Sequence, residues 1–111
     1  MISTHVLDTS RGHPAANVAV TLESLDASGV SRQIGQYTTD GDGRVRELIS
    51  GGALGAGTYR LTFDTGAYAR SLGLEVFYPS VVIVFVVADP TQHYHVPLLL
   101  SPYGYVTYRG S

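Results

Sequence analysis

The chain has 111 residues, no cysteine and a formal net charge of −2. This length favours one domain with one core, residues 1–111, and the lack of thiols excludes disulfides and zinc sites built from cysteine. The small negative charge provides no field that would attract nucleic acid or an anionic membrane, so neither is expected as a partner.

Most of the chain alternates apolar with polar residues between clusters of turn-forming residues, a pattern typical of β-strands. In chain order, the predicted strands are residues 2–8, 18–25, 32–39, 45–48, 57–64, 80–88, 95–100 and 104–109. The fourth is only a short extended piece, which gives seven or eight strands. Turns are predicted at residues 10–14, 40–43 and 101–103, and a flexible loop at 50–52. The regular spacing of the turns predicts an antiparallel β-sandwich.

One short helix is predicted between the fifth and sixth strands. Asp64 or Thr65 can cap its first turn, residues 67–72 are compatible with a helix, and Gly73 stands where a C-terminal cap belongs. The strand at 80–88 is the most apolar of the chain. We therefore expect it to be central in its sheet and buried on both faces.

The N-terminal residues lack the basic start and the long apolar stretch of a signal peptide. The longest apolar run, residues 81–88, is far shorter than the roughly 20 residues that a helix needs to cross a bilayer. No signal for export or membrane insertion is found, and a cytoplasmic location is predicted.

His93 and His95 lie two residues apart in an extended segment, which places both imidazoles on one face. Such a pair can ligate a metal, but two nitrogens alone make a poor site. No HExxH motif or carboxylate cluster offers a third ligand, so no metal is predicted. An exposed histidine beside one borne by a strand is the better interpretation of this pair.

Taken singly, the other candidate residues are ordinary. His5 lies in the first strand, and Arg44 follows a glycine-rich turn. Ser111 is the last residue, and terminal residues are usually frayed. The chain has neither a phosphate-binding glycine motif nor a GxSxG motif, so a serine nucleophile is not expected. Composition and spacing alone indicate a soluble antiparallel β domain.

Three segments together resemble a known family. They are residues 4–15 (THVLDTSRGHPA), 38–44 (TTDGDGR) and 93–111 (HYHVPLLLSPYGYVTYRGS). These segments resemble the 5-hydroxyisourate hydrolases, the transthyretin-related enzymes of urate degradation. The resemblance covers essentially the whole chain in order and includes Phe77-Tyr78-Pro79 before the apolar strand. The Tyr-Arg-Gly-Ser ending is specific to the enzymes and is absent from the hormone carriers that share their fold.

The resemblance implies an all-β, transthyretin-like sandwich of about eight strands with one short helix. It also implies a homotetramer, a dimer of dimers, with the active sites in the channel at the dimer–dimer interface. The apolar positions of the C-terminal strands, including Val96, Leu98 and Leu100 on one face, exceed the needs of a small monomer and also favour assembly.

Residue by residue, the family's site falls on His5, Arg44, His95 and the tail Tyr108 to Ser111. The resemblance implies catalytic roles for His5, Arg44, His95 and Ser111, and substrate contacts from His5, Arg44 and Tyr108. The implied reaction is hydrolysis of 5-hydroxyisourate to 2-oxo-4-hydroxy-4-carboxy-5-ureidoimidazoline, with no cofactor.

The chemistry of that reaction suits these residues. Water attack on a ring carbonyl needs a base, a charge to stabilise the oxyanion and a proton donor to the leaving nitrogen. Imidazole suits the first and last tasks, and Arg44 suits the second. Which histidine is the base, and whether Ser111 orients an imidazole or binds the substrate, stay open. The alternative function is a transthyretin-like carrier of a small ligand, without catalysis. A structural β-sandwich without a site would leave the three segments unexplained.

Overall fold

The computed structural model describes residues 1–49 and 55–111. These residues form nine strands and one helix. The strands are β1 Ile2–Asp8, β2 His13–Pro14, β3 Ala19–Leu25, β4 Ser31–Thr38, β5 Arg44–Val45, β6 Gly57–Phe63, β7 Val81–Val87, β8 Tyr94–Ser101 and β9 Gly104–Thr107, and the helix is α1 Thr65–Ser71. Each predicted strand has a counterpart, and β2 is an additional short strand within the predicted turn at 10–14. The predicted loop at 50–52 lies outside the described residues.

The strands form two sheets. One has the order β2-β1-β8-β9, with β5 also paired to β1, and the other has the order β4-β3-β6-β7. The predicted sandwich is confirmed. All pairs are antiparallel except β1 and β8, which run parallel in register from Ile2 opposite Tyr94 to Asp8 opposite Leu100. This parallel pair was not expected, because local sequence patterns do not report which distant strands meet.

The core lies between the sheets, where alternate side chains of each strand point inward. The largest fully buried apolar side chains are Phe63, Ile2, Leu22, Leu48, Leu61 and Leu98. Burying one such side chain stabilises the fold by about 1.5–3 kcal/mol. Val96, Leu98 and Leu100 also lie in this core, at 6%, 0% and 6% exposure. The expectation that they exceed the needs of a monomer is therefore wrong.

The apolar strand β7 is not central. It forms one edge of its sheet, and Val82, Val84 and Val86 are 48%, 55% and 64% exposed. Only the alternate residues, among them Val81 and Val87, are buried. The prediction of burial on both faces is wrong. A continuous run of β-branched residues favours a strand at the centre or at the edge of a sheet. The apolar character of the run therefore does not show which of its faces meets the core.

The helix α1 begins and ends as the sequence predicts. Asp64 is its N-cap, with Oδ1 accepting the backbone N–H of Ala67 at 3.0 Å, and Gly73 follows the helix with a φ of +70°. The Tyr68 hydroxyl donates to Asp8 Oδ2 at 2.7 Å, and burial together with this hydrogen bond raises the pKa of Tyr68 to about 12. This contact fastens the helix to the end of β1. No helix in the described residues is long and apolar enough to cross a membrane.

Candidate active site

Three of the predicted site residues meet on the outer face of the first sheet. The β1–β5 register places His5 opposite Arg44, and the β1–β8 register places Ser3 opposite His95. Ser3 and His5 are two residues apart in β1 and so share a face. The arrangement brings His5, Arg44 and His95 together from three separate strands.

The turn before β5 determines where Arg44 lies. Asp40 Oδ1 accepts the backbone N–H of Arg44 at 3.0 Å, and the backbone N–H of Val6 donates to the Gly43 carbonyl at 2.7 Å. Gly43 has a φ of +73°, and a Cβ there would collide with the Val6 carbonyl oxygen. Glycine is therefore required at this position if the turn is to lie against β1 and place Arg44 beside His5.

His5 is half-buried, and its Nε2 atom is buried without a hydrogen-bond partner in the described part of the chain. A buried polar atom of this kind is costly unless something binds it, and a substrate or a water can do so. Burial lowers the pKa of His5, and the neighbouring Arg44 charge lowers it further. The imidazole is consequently neutral near pH 7, the form that can accept a proton.

His95 has the same electrostatic character. Burial lowers its pKa most, followed by the positive charge of Arg44 and by repulsion from His93 and His5 when those rings are protonated. Its Nδ1 atom lies 2.8 Å from the Ser3 hydroxyl oxygen, which leaves Nε2 as the ring nitrogen available for chemistry. Sequence reasoning missed Ser3 because only the parallel pairing of β1 with β8 sets it opposite His95.

The C-terminal tail is held beside His95. The backbone N–H of Gly110 donates to the His95 carbonyl at 2.8 Å, and a Cβ on Gly110 would lie 2.5 Å from His95 Cδ2. The backbone and the imidazole therefore touch, and only glycine allows this contact. The tail therefore contacts β8 as far as Gly110.

Arg109 fastens the tail from the other side. Its guanidinium lies 4.4 Å from the centroid of the Tyr94 ring and donates to Gln92 Oε1 at 3.0 Å. Tyr94 alternates with His95 along β8 and points to the opposite face of the sheet. Arg109 thus contributes a cation–π contact away from the site, while Tyr108 and Ser111 are exposed at the tail.

Arg44 forms no ion pair with a carboxylate in residues 1–49 and 55–111, so its charge is available to a ligand. In the same residues, no three side chains of histidine, aspartate or glutamate are grouped as a metal site would require. Two neutral imidazoles beside a guanidinium that is available to a ligand can move protons and stabilise an oxyanion.

We expect the imidazoles of His5 and His95 to titrate below pH 6.5, the ordinary value, because burial and Arg44 both disfavour their charged forms. NMR titration of the ring C–H signals measures this. Arg44→Gln should raise both midpoints, whereas Arg46→Gln, the exposed matched control, should leave them unchanged. The same shifts affect stability. As the pH falls below 6.5, His5 and His95 bind protons more readily in the unfolded chain than in the folded protein. The free energy of unfolding therefore decreases as the pH falls. Wild-type midpoints at or above 6.5 would contradict the electrostatic account.

Comparison with known proteins identifies the family. Residues 2–110 match the HIUase/Transthyretin family. The 5-hydroxyisourate hydrolase of Salmonella typhimurium is 44% identical over 111 residues, covering 100% of this chain and 81% of that protein. The structure of Klebsiella pneumoniae 5-hydroxyisourate hydrolase has a TM-score of 0.87 and 37% identity, covering 99% of this chain and 97% of that one. Transthyretin from Sparus aurata has a TM-score of 0.91 and 35% identity, covering 98% of this chain and 95% of that one. The chain therefore belongs to the HIUase/Transthyretin family, as its three characteristic segments predicted.

Proposed function

We propose that this chain, as one domain of residues 1–111, hydrolyses 5-hydroxyisourate in urate degradation. The observation that carries the proposal is the meeting of His5, Arg44 and His95 on one face of the first sheet, with Gly110 packed against His95. Relatives named as hydrolases of this compound are 44% identical to the whole chain, which supports the same substrate here.

The fold alone does not separate hydrolysis from carriage. The transthyretin of Sparus aurata superposes at least as well as the Klebsiella hydrolase, with TM-scores of 0.91 and 0.87. The side chains on the outer face of the first sheet favour hydrolysis, because a carrier has no need of two neutral imidazoles beside a guanidinium. A transthyretin-like carrier of a small ligand is the second candidate, and the test below distinguishes the two.

In the first step, a neutral imidazole takes a proton from water as the water oxygen bonds to a ring carbonyl carbon of 5-hydroxyisourate. The lowered pKa values of His5 and His95 keep both rings in the proton-accepting form. The carbonyl oxygen becomes an oxyanion, and the Arg44 guanidinium stabilises it through charge-assisted hydrogen bonds.

In the second step, the C–N bond breaks and the leaving nitrogen receives a proton from an imidazolium or from a neutral N–H. One water has then been added, the hydroxyl to carbon and the hydrogen to nitrogen, which gives 2-oxo-4-hydroxy-4-carboxy-5-ureidoimidazoline. We assign substrate contacts to His5, Arg44 and Tyr108, and assign Ser111 to orienting an imidazole or the substrate from the tail.

An absorbance assay tests the proposal. Urate is oxidised with urate oxidase, and the decay of the ultraviolet absorbance of the transient is followed with substoichiometric protein. We expect many turnovers and a product heavier than the substrate by one water. Stoichiometric binding without faster decay would instead establish the carrier.

We further propose that the chain forms a homotetramer, a dimer of dimers with the site at the dimer–dimer interface. β7 and β9 each form one edge of their sheets, and such open edges favour pairing with another chain. A groove of about 260 Å³ lies between them, with a lining that includes Ile83, Phe85, Val96 and Thr107. A second copy of the chain can pair with the edges and fill this groove. On the face that carries His95, Val106 lies opposite Leu99 and is 60% exposed, which supports a second contact there.

The mass in solution is expected to be about four times 11.8 kDa. Val106→Asp should weaken the contact over the site, because a carboxylate would be buried against apolar surface, and should give smaller assemblies with reduced activity. Val30→Asp is the matched control, since Val30 is 64% exposed in the turn between β3 and β4 and lies on neither β7 nor β9. Light scattering measures the mass, and a fully active monomer would contradict the shared site.

A further inference from the structure

Two histidines meet one buried hydroxyl at the site. Ser3 Oγ lies 2.7 Å from His93 Nε2 and 2.8 Å from His95 Nδ1. The imidazole centroids are 6.3 Å apart, so the hydroxyl connects rings that do not bond directly. Ser3 is 5% exposed, whereas His93 is exposed to solvent. The serine thus links the site histidine to a histidine that can exchange protons with water.

The two contacts couple the protonation of the rings. A serine hydroxyl has one hydrogen and can donate it to only one of the two nitrogens, so the other ring must donate its N–H to Oγ. When His95 Nδ1 donates, His95 Nε2 is unprotonated and can accept a proton. When His93 Nε2 donates, Ser3 donates to His95 Nδ1, and the His95 proton resides on Nε2. One reversal of the two bonds therefore changes His95 from proton acceptor to proton donor.

Building on the proposed hydrolysis, we propose that Ser3 and His93 form a proton relay that sets the tautomer of His95 during the reaction. Both are positioning residues, because they act on His95 and have no assigned contact with the substrate. Hydrolysis needs a proton acceptor when water attacks and a proton donor when the C–N bond breaks. The relay supplies both forms of His95 without a lasting positive charge on it.

The proton transfers balance. As water attacks, its proton moves to His95 Nε2, and the Nδ1 proton of His95 moves to Ser3 Oγ. The hydrogen that Ser3 already carried moves to His93 Nε2. His93 Nδ1 then releases its proton to solvent. As the C–N bond breaks, His95 Nε2 gives its proton to the leaving nitrogen and the other three transfers reverse. The hydrogen of water ends on the leaving nitrogen, and the chain returns to its starting state.

The charges around His95 make such a relay useful. The groups that act on His95 are Arg44, His93 and His5, all of them positive when charged, and none stabilises an imidazolium. A proton taken from water must therefore be passed on, and the Ser3 hydroxyl is the contact observed at Nδ1. The parallel register of β1 and β8, with Ser3 opposite His95, fixes the two atoms in place.

Three variants test the relay. Ser3→Ala removes the connecting hydroxyl, and His93→Gln keeps a hydrogen-bonding amide at an exposed position but carries no transferable proton. Ser101→Ala is the matched control, because Ser101 lies in the same sheet and its hydroxyl donates to the Gly104 carbonyl at 3.0 Å, away from the site. His93→Gln also keeps the test open if the loss of the buried Ser3 hydroxyl destabilises the fold.

We expect Ser3→Ala and His93→Gln to lower kcat by about 10- to 100-fold, within the range of general acid–base catalysis, with KM within twofold of wild type. Nitrogen-15 NMR of the free protein should show the His95 tautomer ratio altered by Ser3→Ala and not by Ser101→Ala. An active wild type whose kcat survives His93→Gln, or an unaltered His95 tautomer ratio in Ser3→Ala, would overturn the relay. An inactive wild type would overturn the proposed function, while the tautomer measurement, made without substrate, would still decide whether Ser3 couples the two rings.

Discussion

Arg44→Ala should lower kcat/KM for 5-hydroxyisourate by about 100- to 1000-fold, the loss found when a donor to a developing oxyanion is removed. Arg44 forms no ion pair with the carboxylates of residues 1–49 and 55–111, so its guanidinium is available to a ligand. Because the charge on the substrate oxygen develops during water attack, most of the loss should appear in kcat. The absorbance assay with freshly oxidised urate measures both constants.

Arg46→Ala is the matched control for this prediction. Arg46 lies two residues away and is 66% exposed, with Nη2 3.4 Å from Asp42 Oδ2 and Nε 3.9 Å from Asp40 Oδ2. Exposed ion pairs of this kind contribute little to stability, so the control should keep its activity within about twofold, less than roughly 0.5 kcal/mol. If the two variants lost kcat/KM equally, the total positive charge of residues 44–46 would be responsible, and Arg44 would have no specific role.

Removal of Arg109 to Ser111 should lower kcat/KM by about 100-fold, since a displacement of about 1 Å at reacting groups has an effect of this size. The deletion removes the hydrogen bond from Gly110 to the His95 carbonyl and the packing of Gly110 against the ring. Few core contacts are lost, because Arg109 and Ser111 are exposed. Circular dichroism and light scattering should therefore show the same fold and assembly as the wild type.

One substitution in the tail, with a control in β9, separates the packing of Gly110 from the hydroxyl of Ser111. Gly110→Ala places a methyl group 2.5 Å from His95 Cδ2, so the imidazole must move, and activity should fall although the Ser111 hydroxyl is retained. Gly104→Ala is the control, because a Cβ there would lie 3.6 Å from Ser101 Oγ, an ordinary contact. A truncated chain with wild-type kcat/KM would remove the tail, and Ser111 with it, from the site.

The local features of the fold could be predicted from the sequence because their causes are local. The alternation in residues 2–8 fixes β1 and its outward His5, and Asp64 and Gly73 mark the ends of α1. The resemblance of three segments indicated His5, Arg44 and His95. Their proximity in space, by contrast, depends on registers that join strands far apart in the chain.

Features set by distant contacts could not be predicted. Nothing in residues 81–87 shows that β7 ends its sheet, because its position depends on which strands pair with β6. Ser3 carries no chemical signal of its own and becomes a partner of His95 only through the parallel β1–β8 pair. The role of Gly110 depends on its contact with an imidazole 15 residues earlier in the chain.

The parallel pair also determines when the site can form as the protein is synthesised. Apart from β8, the partners of β1 are two-residue strands, β2 and β5. Residues 2–8 therefore lack their full-length neighbour until residues 94–100 have left the ribosome, although N-terminal segments generally fold first during synthesis. Contacts over such long separations also slow folding. Ser3 and His5 are made well before His95, yet the pairing that brings them together is completed only when β8 emerges.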